Sequence, residues 1–145
     1  MKIRKANIND LNKIKIISQK FDFEIKRNWR DLILSNDKEF FLAIEDEEII
    51  GFTGLIYYDW NNLVQISNIF VHPEHRGKGL AVKLIQYVIE KAKQSSFRCL
   101  LAEAPSLNPV KNLYEKLGFR KCGYNDRYYS NHEKEICIWM SLDLK

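Results

Sequence analysis

Apolar positions change their period along this chain, and each change marks an element. Residues Lys2 to Ala6 read as a short opening strand. Asn7 is placed to cap a helix with Asp10 in its first turn, and Leu11, Ile14, Ile17 and Phe21 then recur at helical spacing. A second amphipathic stretch, from about Ile25 to Leu34, carries Trp29. Phe40 to Ile44 and Ile49 to Tyr58 read as two strands joined by the acidic turn Glu45-Asp46-Glu47-Glu48. Another turn, Asp59-Trp60-Asn61-Asn62, leads into a strand from Leu63 to Val71. Leu80, Leu84, Ile85, Val88 and Ala92 then form one helix face, with Lys83, Gln86, Glu90 and Lys91 on the other. Arg98 to Ala102 is a short apolar strand. Asn108 to Leu117 reads as a helix stopped by Gly118 at C′ with Phe119 just beyond, the Schellman pattern. Two closing strands are expected over Arg120 to Asn125 and Glu135 to Leu142. The order β-α-α-β-β-β-α-β-α-β-β predicts one α/β domain, residues 1–145, around a mixed sheet, with no linker, repeat or low-complexity tract.

Composition narrows the partners. Of the 145 residues, 46% are hydrophobic and 29% charged, as in a soluble globular protein. A formal charge of +4 suits an anionic cofactor but not the dense basic face of a nucleic-acid binder. No run approaches the ~20 apolar residues of a membrane span. The start, Met1-Lys2-Ile3-Arg4-Lys5 with Asn7 and Asn9 following, shows no signal peptide, so a cytoplasmic location is expected. Cys99, Cys122 and Cys137 are odd in number, far apart and set among apolar residues, which predicts reduced core thiols and neither disulfides nor a metal site.

The chemistry concentrates after Val71. The apolar run Ile66, Ile69, Phe70, Val71 stops at His72-Pro73, and the basic loop Glu74-His75-Arg76-Gly77-Lys78-Gly79 then opens a helix at Leu80-Ala81. A helix start offers unpaired N–H groups and the positive end of the macrodipole, an anion site. Gly77 and Gly79 allow a tight turn and close approach of backbone to ligand. Arg76 and Lys78 add positive charge. The loop lacks the Lys-Ser/Thr ending of a Walker loop, and it is not a G-x-G-x-x-G fingerprint. Taken alone, it reads equally as an ordinary basic turn capping a helix. His72 and His75 sit in a proline turn with no further ligand at useful spacing, so they read as turn residues.

Two segments together carry more. The spacing R-x-x-G-x-G/A (Arg76, Gly79, Ala81) between a strand and a long helix, joined to Asn108-Pro109-Val110-Lys111-Asn112-Leu113-Tyr114-Glu115-Lys116-Leu117-Gly118-Phe119, resembles the GNAT superfamily of acetyl-CoA-dependent N-acetyltransferases. The element order fits as well. The resemblance implies an α/β, GNAT-like mixed and mostly antiparallel sheet flanked by helices. It implies that backbone amides from Arg76 through Gly77, Lys78, Gly79 and Leu80 to Ala81 bind the coenzyme A pyrophosphate. Ile69, Phe70 and Val71 would border the pantetheine arm, Val71 lying beside the thioester carbonyl. Asn108 would contact the same arm, and Tyr114 would sit near the sulfur. Asn108 stands one residue closer to the tyrosine than in the fullest form of the motif, with Pro109 taking up the turn.

Acetyl transfer to an amine needs a deprotonated nucleophile, support for the developing oxyanion and a proton for the leaving thiolate. A backbone N–H near Val71 suits the second role. Tyr114, with an ordinary pKa near 10 against about 8.5 for a thiol, suits the third by sharing its proton. As a bare residue, without the motif, Tyr114 reads first as a helix core aromatic. Glu103 ends the apolar strand near where an acceptor would enter and reads equally as a solvated strand-end carboxylate or as the base, acting directly or through ordered water; Asp59, Glu24 and Glu135 are weaker candidates.

For the acceptor, Cys122-Gly123-Tyr124-Asn125-Asp126-Arg127-Tyr128-Tyr129-Ser130-Asn131 with Glu135-Ile136-Cys137-Ile138-Trp139, and Tyr58-Asp59-Trp60-Asn61, resemble the streptothricin acetyltransferase branch. That branch carries adjacent acids where this chain has Ser67-Asn68, and a polar Thr-Gln pair where it has Ala104-Pro105-Ser106. Fewer carboxylates make a poorer site for a polycation. Asp59, Trp60, Asn68 and Tyr128 remain as acceptor-binding candidates, with Tyr57 and Tyr129 as further aromatics. The expected activity is acetyl transfer from acetyl-CoA, with no metal, to a primary amine of a small molecule. The alternatives are a protein N-terminal or lysine acetyltransferase and a non-catalytic acyl-CoA sensor. A homodimer through the closing strands is compatible with the pattern.

Overall fold

Strand β2 (Lys38–Glu45) shows why the sheet has helices on both sides. Phe40 and Leu42 point one way, Phe41 and Ala43 the other, and all four are buried. A strand apolar on both faces belongs in the middle of a sheet covered on both faces. The computed structural model describes residues 1–23, 26–132 and 134–145. In it, β1 (Lys2–Lys5), β2, β3 (Glu48–Tyr58), β4 (Leu63–Val71), β5 (Cys99–Pro105), β6 (Arg120–Asn125) and β7 (Cys137–Asp143) form a seven-stranded sheet in the order β1-β2-β3-β4-β5-β7-β6. Every pairing is antiparallel except β4 with β5.

Helices α1 (Leu11–Lys20) and α2 (Trp29–Leu34) cover one face over Ile14, Trp29, Phe40, Leu42, Phe52 and Phe70. Helices α3 (Leu80–Lys93) and α4 (Val110–Lys116) cover the other over Phe41, Leu55, Ile66, Ile85, Val88, Leu100 and Met140. Each fully buried Leu, Ile or Phe contributes about 1.5–3 kcal/mol, so these two apolar layers dominate the stabilisation. Local signals set the ends. Asn7 caps a 3-10 turn, Ile8–Asp10, in a capping box with Asp10, and Asp10 also accepts from the two terminal guanidinium nitrogens of Arg4 at 2.8 Å. Gly118 (φ 98°) closes α4 with Gly118 N–H on Glu115 and Phe119 N–H on Tyr114, the expected Schellman pair. The β2–β3 turn places Asp46 and Glu47 at φ 51° and 66°, the two-residue hairpin geometry, and Lys13 donates to the Glu47 carbonyl at 2.8 Å.

Several boundaries differ from expectation. Helix α2 begins only at Trp29, because the Asn28 side chain caps it by accepting from Asp31 N–H; Ile25 lies outside the described residues. Strand β2 starts at Lys38. Strand β5 runs on to Pro105 because Glu103, Ala104 and Pro105 pair with Trp139, Ile138 and Cys137. Helix α4 begins at Val110, two residues late, since Asn108 Oδ1 is spent accepting from Val110 N–H at 2.9 Å. Strand β7 begins at Cys137. Cys122 is not a core thiol: it is exposed, because β6 is an edge strand whose six residues are all exposed. Among the described residues, no helix is long and apolar enough to cross a membrane.

Candidate functional site

The one parallel pair creates the site. Strands β4 and β5 pair only from Leu63↔Cys99 to Ile66↔Ala102. Beyond that, β4 stays with β3 as far as Val71, while β5 stays with β7 as far as Pro105. The two strands part, and the wedge between them opens a cleft of about 990 Å³. Its walls include Asn68, Ile69 and Val71 on β4, Glu103 and Pro105 on β5, His75, Arg76, Gly77 and Gly79 in the glycine loop, the first turn of α3, and Tyr114 on α4.

The ladder decides which backbone groups face the wedge. His72 N–H donates to the Ile50 carbonyl at 2.8 Å. Antiparallel pairing alternates, so Phe70 shares the β3-facing set with His72, whereas Ile69 and Val71 turn their backbone groups to the open edge. The Val71 carbonyl there accepts from Arg76 Nε at 3.0 Å, leaving its N–H and both Ile69 groups aimed at the cleft. Phe70 sends its ring into the opposite core, stacked on Phe23 at 4.1 Å.

A bulge sits at the throat. Thr53 faces Ile69 and Leu55 faces Ile66, so Gly54 alone opposes Ser67 and Asn68. The buried Thr53 hydroxyl donates to the Asn68 carbonyl at 2.7 Å, and Ser67 Oγ donates to Asn68 Oδ1 at 2.9 Å. Gly54 leaves no room for a side chain as packed: a Cβ there would stand 2.5 Å from Ser67 Oγ and 2.6 Å from Phe40.

The glycine loop takes the conformation its residues permit. Gly77 and Gly79 lie at φ 74° and 81°, where other residues are strained. A Cβ at either would meet nothing within 4 Å, so the requirement is conformational and the surface above is open. Gly79 is the N-cap of α3 and offers no side chain to its N–H groups. Lys83 N–H on the Gly79 carbonyl, at 3.1 Å, starts the helical ladder, and the preceding donors belong to the cleft wall at Gly79, Leu80, Ala81 and Val82. Arg76 lines the cleft; Lys78 does not.

Tyr114 and Glu103 both line the cleft, Tyr114 from α4 and Glu103 from β5. Tyr114 is 3% exposed and packs on Phe119. Burial first, and then the negative charge of Glu103, raise its phenol above the usual tyrosine value, so it remains a donor. The same two causes raise Tyr128 and Tyr129, and they push the Cys137 thiol up to about 11. Tyr128 hydrogen-bonds Glu103 and packs against Trp139, the cross-strand partner of Glu103. The β6–β7 loop therefore reaches the acidic end of the cleft, although Tyr128 is not one of its lining residues.

Other candidates are dispersed. Asp59 and Trp60 occupy the β3–β4 turn outside the cleft, Trp60 being 85% exposed. Glu135 also lies outside the cleft lining, and Glu24 lies outside the described residues. Asn108 lines the cleft, and with Oδ1 spent on its own helix cap its Nδ2 donors are what it can offer a ligand. His75 lines the cleft and places Nδ1 3.7 Å from Glu45, a placement the proline turn alone did not suggest. Among the described residues, no cluster of metal-ligating side chains occurs. The Ser67-Asn68 bulge and its Thr53 anchor went unseen in the sequence, where Gly54 opposite two polar residues was the available sign.

Known proteins resemble this chain in sequence and fold. The model of the Acetyltransferase (GNAT) family matches residues 7–119. Streptothricin acetyltransferase of Streptomyces lavendulae is 31% identical over 110 residues, 73% of this chain but only 58% of that protein, so the match spans less than two thirds of its length. A Bacillus subtilis protein assigned provisionally as a ribosomal protein bS18 alanine N-acetyltransferase is 31% identical over 116 residues, 77% of this chain and 74% of that one. The crystal structure of the ribosomal-protein-S18-alanine N-acetyltransferase from Escherichia coli superimposes with a TM-score of 0.84 at 21% identity, covering 99% of this chain and 94% of that one. With the family model covering most of the chain and the wedge, glycine loop and Tyr114 in one cleft, the protein belongs to the GNAT family of acetyltransferases.

Proposed function

We propose that the protein transfers the acetyl group of acetyl-CoA to a primary amine of a small molecule. The observation that carries this is the β4–β5 wedge, which brings outward-facing backbone, a left-handed glycine at a helix start, Tyr114 and Glu103 into one cleft. These residues fit the donor. N–H groups of the glycine loop and of the α3 start, Gly79, Leu80 and Ala81 among them, would hold the pyrophosphate, aided by the helix dipole and the Arg76 charge. The open edge at Ile69 and Val71 would pair with the amide-bearing arm as an added strand does, with Asn108 Nδ2 donating beside it.

When bound, acetyl-CoA would supply an activated acetyl thioester, whose C–S bond would be exchanged for the C–N bond of the acetylated amine. Glu103, directly or through ordered water, takes the proton that the ammonium must lose; burial in the cleft eases that loss by lowering the ammonium pKa from about 10. Val71 N–H would be placed to hold the thioester carbonyl oxygen, and Tyr114 to donate to the sulfur. Its raised pKa lies above the ordinary thiol value of about 8.5, so it would stabilise the thiolate by sharing its proton without giving it up, and the proton shed by the acylated nitrogen would end on that thiolate.

The test is thiol release from acetyl-CoA across a panel of amines and peptides. Release is expected with at least one small amine, and Tyr114→Phe and Glu103→Gln should each lower kcat about 100-fold. No release with any acceptor, or wild-type turnover in both variants, would overturn the reading.

A further inference from the structure

We infer that Asn68 selects the acceptor by donating to an oxygen beside the reactive amine, so that the substrate is an amine carrying a neighbouring carbonyl, an α-amino amide, and not a polyamine. This rests on the acetyltransferase reading above. Ile66↔Ala102 is the last parallel pair, and one step further along each strand stand Ser67 and Glu103. Ser67-Asn68 and Glu103 thus flank the mouth of the wedge, about one strand spacing (~4.8 Å) apart before it widens. The Asn68 amide is oriented there. Ser67 Oγ donates to its Oδ1 at 2.9 Å, and Thr53 Oγ1 holds its backbone carbonyl at 2.7 Å. With one lone pair of the oxygen taken by Ser67, Asn68, which lines the cleft, has two Nδ2 hydrogens to offer, and these can meet only an acceptor.

Charge points the same way. Glu103 is the sole carboxylate among the described residues lining the cleft, whose other ionisable groups include Arg76, His75 and Lys116. One carboxylate can serve one ammonium; a second ammonium on the acceptor would meet amide N–H groups, a repulsive contact. An α-amino amide satisfies both ends, its nitrogen toward Glu103 and its carbonyl toward Asn68. A free aminoacyl amide and a peptide N-terminus share this chemistry.

The experiment compares kcat/KM for thiol release with glycinamide, an alanyl tripeptide amide, propylamine and 1,3-diaminopropane, in the wild type, Asn68→Ala and Asn68→Asp. Intrinsic amine reactivity is the same for all three proteins, so the change in each acceptor ratio isolates Asn68. The glycinamide-to-propylamine ratio should fall about tenfold in Asn68→Ala, the size of one lost hydrogen bond. In Asn68→Asp the diamine should overtake glycinamide. Thermal melting confirms that the variants fold, as Thr53 holds the backbone and not the side chain. Whichever of glycinamide and tripeptide shows the higher wild-type kcat/KM identifies the source. Turnover with ratios unchanged in both variants overturns this inference alone; absence of turnover with every amine overturns it together with the acetyltransferase reading.

Discussion

Replacing Gly54 by alanine tests whether the β4 bulge is built by close packing. The added Cβ would stand 2.5 Å from Ser67 Oγ and 2.6 and 2.7 Å from two Phe40 ring carbons. Neither neighbour yields cheaply. Phe40 is 4% exposed, stacked on Phe52 at 5.4 Å and set edge-on to Trp29 at 6.0 Å. Ser67 can rotate away only by breaking its bond to Asn68. Overpacking of this kind costs about 1–3 kcal/mol. A domain of this size loses roughly 3 °C of melting temperature per kcal/mol, so Gly54→Ala should melt about 3–9 °C lower. Its KM for the acceptor should rise while acetyl-CoA affinity holds, because the glycine loop is untouched. Adding Ser67→Ala relieves one of the two overlaps and should recover part of the melting temperature. A Gly54→Ala protein melting within about 1 °C of wild type would refute the packing origin of the bulge.

Three further outcomes follow from single groups. Asp10 accepts from Arg4 twice and from Asn7 N–H, each at 2.8 Å, and the Arg4 hydrogen bonds hold its carboxyl below the ordinary value. A depressed carboxyl stabilises the fold above the unfolded pKa of about 3.9 and loses that contribution as pH falls through the folded value. Asp10→Asn should therefore cost about 1.5–3 kcal/mol at pH 7 by urea titration, and its difference from wild type should shrink below pH ~4. Ellman's reagent should count one fast thiol in the native protein, Cys122, and three after denaturation, since Cys99 and Cys137 are buried. Glu47→Gly, which removes the side chain at φ 66° while keeping the carbonyl that Lys13 bonds, should stabilise by about 1 kcal/mol in a thermal melt.

What could be read from the sequence was what is local. Gly118-Phe119, the capping Asn7 with Asp10, and the glycine loop each act through a few consecutive residues, so their chemistry appears in order along the chain. Glu103 was legible as a strand-end carboxylate, but its place inside the strand depends on Trp139, a partner far along the sequence. Cys122 looked apolar by its neighbours, yet burial depends on which strand lies at the edge, and β7 inserts between β5 and β6. The wedge was illegible for the same reason. It arises because β4 and β5 keep different antiparallel partners after Ile66 and Ala102, a fact of sheet topology that no motif records.

The most direct measurement is a crystal structure of the protein with acetyl-CoA. The pyrophosphate is predicted on the backbone N–H groups from Gly77 to Ala81, the arm alongside Ile69 and Val71, and the sulfur against Tyr114. A donor bound elsewhere, for example in the second cleft between α1 and the β2–β3 turn, or a sulfur remote from Tyr114, would contradict the assignment.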